Sequence, residues 1–480
     1  MLFNSIDFAI FLPIVFSMYW LIKNYKLQNL LIILASYIFY GWWDWRFLSL
    51  IIFSTLVDYF VGLKISKEKN EVNRKFFLWG SILVNLGFLG FFKYYNFFID
   101  NFTTAFSFFG SNISPTSLNI ILPVGISFYT FQTLSYTIDV YKNKIKPTED
   151  FFAFAAFVSF FPQLVAGPIE RASNLLPQFY KKRSFKYDKA VDGMRQILWG
   201  LFKKIVIADN CAQLANEIFQ NHSDLNGSTL VLGALFFTFQ IYGDFSGYSD
   251  IAIGTARLFG FNLMQNFAFP YFSRDIGEFW RRWHISLSSW FRDYVYIPLG
   301  GSRGGTWVTI RNIFIIFLVS AFWHGANWTF LAWGFLNACY FLPLMLTQNN
   351  RKNLNTVAQG NIFPTIVELF QMGLTFCLTA FAWIFFRSEN ITEALKYTGK
   401  IFSKSLFEFP DHFGGISALT TLIIICCFML VEWFGREQKY AIEKLGGTWK
   451  PIFRYATYYA IVFVILWFGG EEQKFIYFQF

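Results

Sequence analysis

Histidine occurs four times in this chain, and two of the four, His284 and His324, sit close to long apolar runs. His284 sits in Phe279-Trp280-Arg281-Arg282-Trp283-His284-Ile285-Ser286-Leu287-Ser288, and His324 in Ser320-Ala321-Phe322-Trp323-His324-Gly325-Ala326-Asn327-Trp328. An ionisable group at bilayer depth is costly, so its presence calls for a reason. Imidazole is the side chain best suited to take a proton near neutral pH, and when desolvated it stays in its neutral, basic form. The pair points to chemistry inside a membrane rather than to a passive channel or scaffold. If Arg311 marks an interface, a rise of about 1.5 Å per residue puts His324 roughly 20 Å deep. Gly325 and Asn327 weaken the helix beside it, so a cavity is expected there. The competing reading is a structural histidine bonded to a neighbouring helix. His284 stands among arginines and tryptophans, which suits orienting a substrate more than moving a proton. Its competing reading is a bystander in an interfacial aromatic-basic belt.

The surroundings of His284 are unusually polar. Residues 265–305 combine aromatics with Arg274, Arg281, Arg282, Arg292 and Arg303. Asp275 followed by Glu278 looks like a helix-starting capping box. A helix from Ile276 to Phe291 would align Trp280, His284 and Ser288 on one face. Pro298 and Gly300-Gly301 would end it. Such a segment is too polar for a lipid-facing span and suits a helix dipping into the protein. Farther upstream, Tyr242-Gly243-Asp244-Phe245-Ser246-Gly247-Tyr248 places Asp244 between glycines spaced for close helix packing. Asp244 either supports a site or pairs with an arginine; packing alone is the alternative. Around Ser286, Ser288 and Ser289 there is no Gly-x-Ser-x-Gly elbow, and no phosphate-binding loop of the P-loop type or metal-ligand spacing is evident. The five cysteines read as small buried hydrophobes.

These groups are carried by a membrane protein. Apolar residues make up 55% and charged residues 15%, against about 25% charged in soluble domains. The fold expected is all-α and polytopic, with roughly 11–12 transmembrane helices of about 20 residues plus re-entrant or interfacial helices. Spans are expected near 5–22, 27–43, 47–63, 76–98, 119–140, 190–208, 229–249, 309–325, 328–347, 364–386, 415–434 and 452–470. The start lacks a basic leader region and reads as a retained first span. Residues 151–170 carry Pro162 and Pro168 and read as a broken or re-entrant segment. Residues 391–413 read as an external segment of mixed polarity. The net charge is +10, but the positive residues fall in short loops. Positive-inside placement explains them better than nucleic acid, and anionic lipid headgroups are their default partner. Putting Lys23, Lys67, Lys182 and Arg436 in the cytoplasm leaves both termini outside.

The stretch from Arg281-Arg282-Trp283-His284 through Trp290-Phe291-Arg292-Asp293-Tyr294-Val295-Tyr296-Ile297-Pro298-Leu299-Gly300-Gly301, followed by Phe322-Trp323-His324-Gly325, resembles the membrane-bound O-acyltransferase superfamily. Within it, the chain looks like the membrane subunits of bacterial alginate O-acetyltransferases. Pro162-Gln163-Leu164-Val165-Ala166-Gly167-Pro168, the Tyr242–Tyr248 run and the terminal Phe475-Ile476-Tyr477-Phe478-Gln479-Phe480 fit that branch, so the resemblance covers nearly the whole chain. It implies one integral-membrane domain over 1–480, with a catalytic core near 119–347 and a curved helical wall around a transmembrane tunnel. It also implies a bacterial inner-membrane location. His324 would be the family's near-invariant histidine and His284 its second, variable polar position.

The resemblance further implies a thioester donor, acetyl-CoA or another acyl thioester, entering from the cytoplasm. No permanently bound cofactor or metal is implied. The acceptor would be a hydroxyl on the far side, on an exported polysaccharide or an extracytoplasmic acetyltransferase partner. The chemistry is consistent: attack on a thioester needs a base, which His324 could supply, and a water-poor site limits hydrolysis. His284 with Arg281 or Arg282 could position a donor bearing phosphates. The full candidate set is His324 and His284 as catalytic residues, with Arg281, Arg282, Arg292, Trp283, Ser288, Asp244 and Asn327 as donor-binding or supporting residues. Two alternatives stay open: D-alanyl transfer to teichoic acid from a carrier protein, and a transporter or flippase of an anionic glycan or lipid.

Overall fold

The computed structural model describes residues 1–108, 118, 120–411, 416–447, 449–469 and 473–476, and all regular elements among them are helical. Eight helical stretches are long and apolar enough to cross a membrane, fewer than the 11–12 spans expected. The shortfall has a physical source. Tyr25–Lys67 holds both of the spans expected at 27–43 and 47–63, as two 20-residue helices joined through an extended Asp44, while Ile6–Leu21 and Phe151–Leu164 are apolar but short.

The chain forms two compact units. The first comprises residues 1–190 and 255–264. It contains α1 (Ile6–Leu21), α2 (Tyr25–Asp44), α3 (Leu48–Lys67), α4 (Glu71–Leu89), α5 (Tyr95–Phe108), α6 (Ile126–Tyr141), α7 (Phe151–Ser159), α8 (Phe161–Leu164), α9 (Ala172–Leu175) and the start of α10 (Tyr187–Leu201). Asn24 and Asn70 cap α2 and α4 through their side-chain oxygens. The segment after 150 is broken as expected: Phe160 leaves helical geometry between α7 and α8. Protein groups satisfy the freed backbone, with Phe161 N donating to Ser36 Oγ at 3.0 Å.

The second unit comprises residues 191–254 and 265–480. Its helices are the rest of α10, then α11 (Asp209–Gln220), most of α12 (Gly227–Leu258), α13 (Ile276–Arg282), α14 (Ile285–Phe291), α15 (Thr306–His324), α16 (Trp328–Leu346), α17 (Ile366–Arg387), α18 (Ile391–Ile401), α19 (Ile416–Gly435) and α20 (Pro451–Phe468). The glycines of α12 do what their spacing suggests. A Cβ on Gly247 would come within 2.8 Å of the Gly200 carbonyl oxygen, so α10 and α12 cross at backbone contact.

That close crossing buries charge. Asp244 meets Lys204 at 2.9 Å rather than an arginine, and Lys203 meets Asp250 at 2.5 Å. Asp244 Oδ2 also accepts from Ile476 N at 2.7 Å, which fixes the terminal run to α12. Tyr477, Phe478, Gln479 and Phe480 lie outside the described residues, as do His412 and Phe413 of the 391–413 segment. Of the cysteines, Cys211 is buried, but Cys377, Cys426 and Cys427 are exposed rather than buried as expected. They stand on apolar helices, where exposed surface suits lipid.

Candidate active site

The polar segment before α15 does not form the single helix expected over 276–291. α13 ends at Arg282, Trp283 is extended, and His284 takes the left-handed conformation with φ 43° and ψ 53°. That conformation is unfavourable for a histidine, so something must hold it. The holder is Asn266, fully buried on the preceding loop. Its Oδ1 accepts from Ser286 Oγ at 2.8 Å and from Ser286 N at 3.3 Å, and its backbone oxygen accepts from Ile285 N at 2.9 Å. Arg282 O accepts from Ala268 N at 2.9 Å, which closes the turn from the other side.

Asn266 also fixes the chemistry of His284. Because the Ser286 amide donates to Asn266 Oδ1, that atom is an acceptor, and His284 Nδ1, 3.1 Å away, must be the N–H donor. The lone pair therefore sits on Nε2, which is buried and meets no hydrogen-bond partner among the described residues. Burial holds the imidazole below its ordinary pKa, so at pH 7 it is neutral. The result is a fixed, uncharged imidazole presenting one basic nitrogen.

His324 is the last residue of α15. Its ring centroid lies 6.4 Å from that of His284. Gly334 lets α16 approach α15, because a Cβ there would meet Ala321 Cβ at 2.5 Å. This brings Trp333 against His324 at 5.3 Å, with Phe386 of α17 at 5.6 Å and Trp323 at 4.9 Å. Phe245 packs edge-on against His284 at 4.6 Å. Both histidines are almost fully enclosed, at 1% and 4% exposure. Where a cavity was expected beside Gly325, the ring of Phe330 fills the space.

The cavity lies on the other side. A cleft of about 780 Å³ runs between α13–α14 and α15–α16. Its walls include Trp280, Phe291, Phe317 and Phe341, and its polar lining includes Arg281, Arg292, Arg351 and Gln348. Ser288 and Ser320 also line it. Each stands four residues, one helical turn, from a histidine: Ser288 N bonds to His284 O, and Ser320 precedes His324 on α15. An apolar cleft of this size with a few convergent polar groups is the usual form of a small-molecule site.

The candidate residues divide on this geometry. Arg281, Arg292 and Ser288 line the cleft. Arg281 is steadied by the carbonyls of Asn350 and Asn353, and Arg292 pairs with its neighbour Asp293. Arg282 does not line it: its guanidinium is engaged by Glu278 and by the carbonyls of Ala268 and Asn355. Glu278 binds both Arg274 and Arg282, so only half of the expected capping box forms, with Asp275 Oδ1 accepting from Glu278 N at 2.7 Å. Trp283 is enclosed by Phe267, Phe279 and Trp383 and supports the turn. Asn327 caps α16 and donates to Glu389 O. Asp244 serves the α10–α12 crossing described above. Sequence reasoning missed Asn266, Ser320, Arg351, Trp333, Trp383 and Phe386. Arg351 alone carried a signal, as a basic residue just after a span. Among the described residues no cluster could hold a metal ion.

Similarity to known proteins places the chain in a family. The chain is 38% identical to the probable alginate O-acetylase AlgI of Pseudomonas aeruginosa, over 92% of this chain and 82% of the relative. It is 33% identical to the peptidoglycan O-acetyltransferase of Helicobacter pylori, over 100% of this chain and 98% of the relative. It is 29% identical to the teichoic acid D-alanyltransferase of Bacillus subtilis, over only 46% of this chain and 60% of the relative. Residues 16–382 match the membrane-bound O-acyltransferase family, which includes α13–α15 and both buried histidines. The chain belongs to the membrane-bound O-acyltransferase family.

Proposed function

We propose that the chain takes an acetyl group from a thioester donor held in the arginine-lined cleft and passes it to a hydroxyl of an exported glycan, directly or through an extracytoplasmic partner. The observation that carries this reading is the cleft itself, which reaches to within one turn of both histidines. Arg281, Arg292 and Arg351 suit the phosphates of acetyl-CoA, and the aromatic walls suit its apolar arm. His324 removes the hydroxyl proton as oxygen attacks the thioester carbonyl; the thiolate leaves with the donor. His284, through Nε2, accepts a hydrogen bond and orients the reacting groups. The enclosing tryptophans keep water from the thioester.

Acetyl transfer is favoured over D-alanyl transfer because the two acetyltransferase relatives align over nearly the whole chain. A transporter would need no basic nitrogen fixed by a second residue. The test compares purified variants at matched membrane levels. His324→Ala loses about 10²–10⁴-fold of transfer, as general-base loss does. His284→Asn retains more activity than His324→Asn, and Asn tolerates the left-handed backbone at 284. The reverse order would move the base to His284.

A further inference from the structure

α16 stops at Leu346 and α17 starts at Ile366, and the chain just after α16 forms one rim of the cleft. Gln348, Asn350, Arg351 and Leu354 of this rim line it. The rim forms no helix, so its backbone groups need partners from elsewhere. α13 supplies them. Arg281 donates from Nη1 to Asn350 O at 2.7 Å and from Nη2 to Asn353 O at 2.8 Å. Gly277, one turn earlier on α13, permits the approach, because a Cβ there would stand 3.3 Å from Asn350 O.

Asp275 closes the junction. As N-cap of α13 it accepts from Glu278 N through Oδ1, and its second oxygen, Oδ2, accepts from Asn353 Nδ2 at 2.7 Å. A carboxylate only accepts, so the amide nitrogen of Asn353 is the atom that faces it. Between the two tied residues, Asn350 and Asn353, stands Arg351. It is exposed in the cleft wall, and among the described residues its guanidinium makes no hydrogen bond or ion pair. It lies close enough to Arg281 for the two charges to repel. Two guanidinium groups on one wall suit an anion held between them. A long side chain on a loose arc would lose that position to backbone and side-chain entropy, and tying both ends of the arc removes much of the loss.

We infer that Asp275 is a positioning residue for the donor: by clasping Asn353 it fixes the arc that carries Arg351, and so sets where a donor phosphate is held. This rests on the donor site proposed above. The same carboxylate starts the helix that leads to the His284 turn, so one side chain ties the phosphate grip to the element before that turn.

Two variants break the clasp and keep the cap. Asp275→Ser leaves a good N-cap whose side chain is too short to reach Asn353. Asn353→Asp sets two carboxylates against each other and leaves α13 untouched. The double variant, Asp275→Asn with Asn353→Asp, reverses the pair. Asn is an equal N-cap, its amide donates to the new carboxylate, and the net charge is unchanged. KM and kcat are measured with acetyl-CoA and with S-acetylpantetheine, which carries no phosphate. Both single variants should raise the acetyl-CoA KM several-fold at near-normal kcat, and the double variant should restore it. The KM for S-acetylpantetheine should not move in any of them. Asp275→Ser is the most discriminating arm, because removing a negative charge near the cleft would by itself lower the KM for a phosphate-bearing donor. An acetyl-CoA KM unmoved or lowered in Asp275→Ser, or KM values raised alike for both donors, overturns the role of the clasp. Arg351→Gln separates the two conclusions. An acetyl-CoA KM raised there but not in the clasp variants overturns this inference alone, whereas an unmoved KM there removes the donor from this wall of the cleft and the inference with it.

Discussion

At the scale of the residue, the main finding is that a histidine's role is set by a neighbour the sequence does not advertise. Asn266 is one asparagine in an ordinary loop, yet it selects the tautomer of His284 and bends the backbone beneath it. The same scale separates the arginines. Arg281 and Arg351 line the cleft, while Arg282 is tied to Glu278. Arg281→Gln and Arg351→Gln should each raise the KM for acetyl-CoA several-fold with kcat little changed, since a neutral side chain cannot replace a charge-assisted bond to phosphate. Arg282→Gln should instead lower thermal stability, leaving Glu278 one partner short. Donor KM and melting temperature, measured on monodisperse protein, separate the two effects; an unmoved KM in both cleft variants would remove the arginines from the donor site. The two histidines were legible from their cost in an apolar context. The division among the arginines was not, because neighbouring arginines in one motif look alike until their partners are known.

At the scale of the element, periodicity and end signals found the helices but not the break that matters. Trp280, His284 and Ser288 are spaced for one helical face, and local pattern alone favours a continuous helix. Tertiary bonds from Asn266 and Ala268 override it at Trp283–His284. Gly243 and Gly247, by contrast, announce close packing by their spacing alone, and the Gly200–Gly247 contact follows. Gly247→Ala should cost about 1–3 kcal/mol, the usual range for overpacking, because backbone must move to admit the Cβ. It should also loosen the Lys204–Asp244 pair and the terminal segment that Asp244 holds. Denaturation of the detergent-solubilised protein measures the loss. A neutral substitution would mean that α10 and α12 can part freely, and the buried charges between them would then need another explanation.

At the scale of the whole molecule, composition was enough to indicate a polytopic helical protein, and eight helical stretches qualify as spans. The spans expected at 27–43 and 47–63 are the 20-residue helices α2 and α3, which lie within one of these stretches and are joined through an extended Asp44. We propose from the basic loops that both termini lie outside. A cysteine placed at Asn4 should react with an impermeant reagent in intact cells, and one at Lys182 should react only after lysis. The opposite pattern would reject that orientation.

The central claim is acetyl transfer dependent on His324. Its most direct measurement is the ester-linked acetate released by mild base from the host's exported glycans. The comparison is among cells with the intact chain, without it, and with His324→Ala at equal membrane abundance. The account predicts acetate in the first and its loss to background in the other two. Acetate unchanged by removal of the chain, or fully retained by His324→Ala, would contradict it.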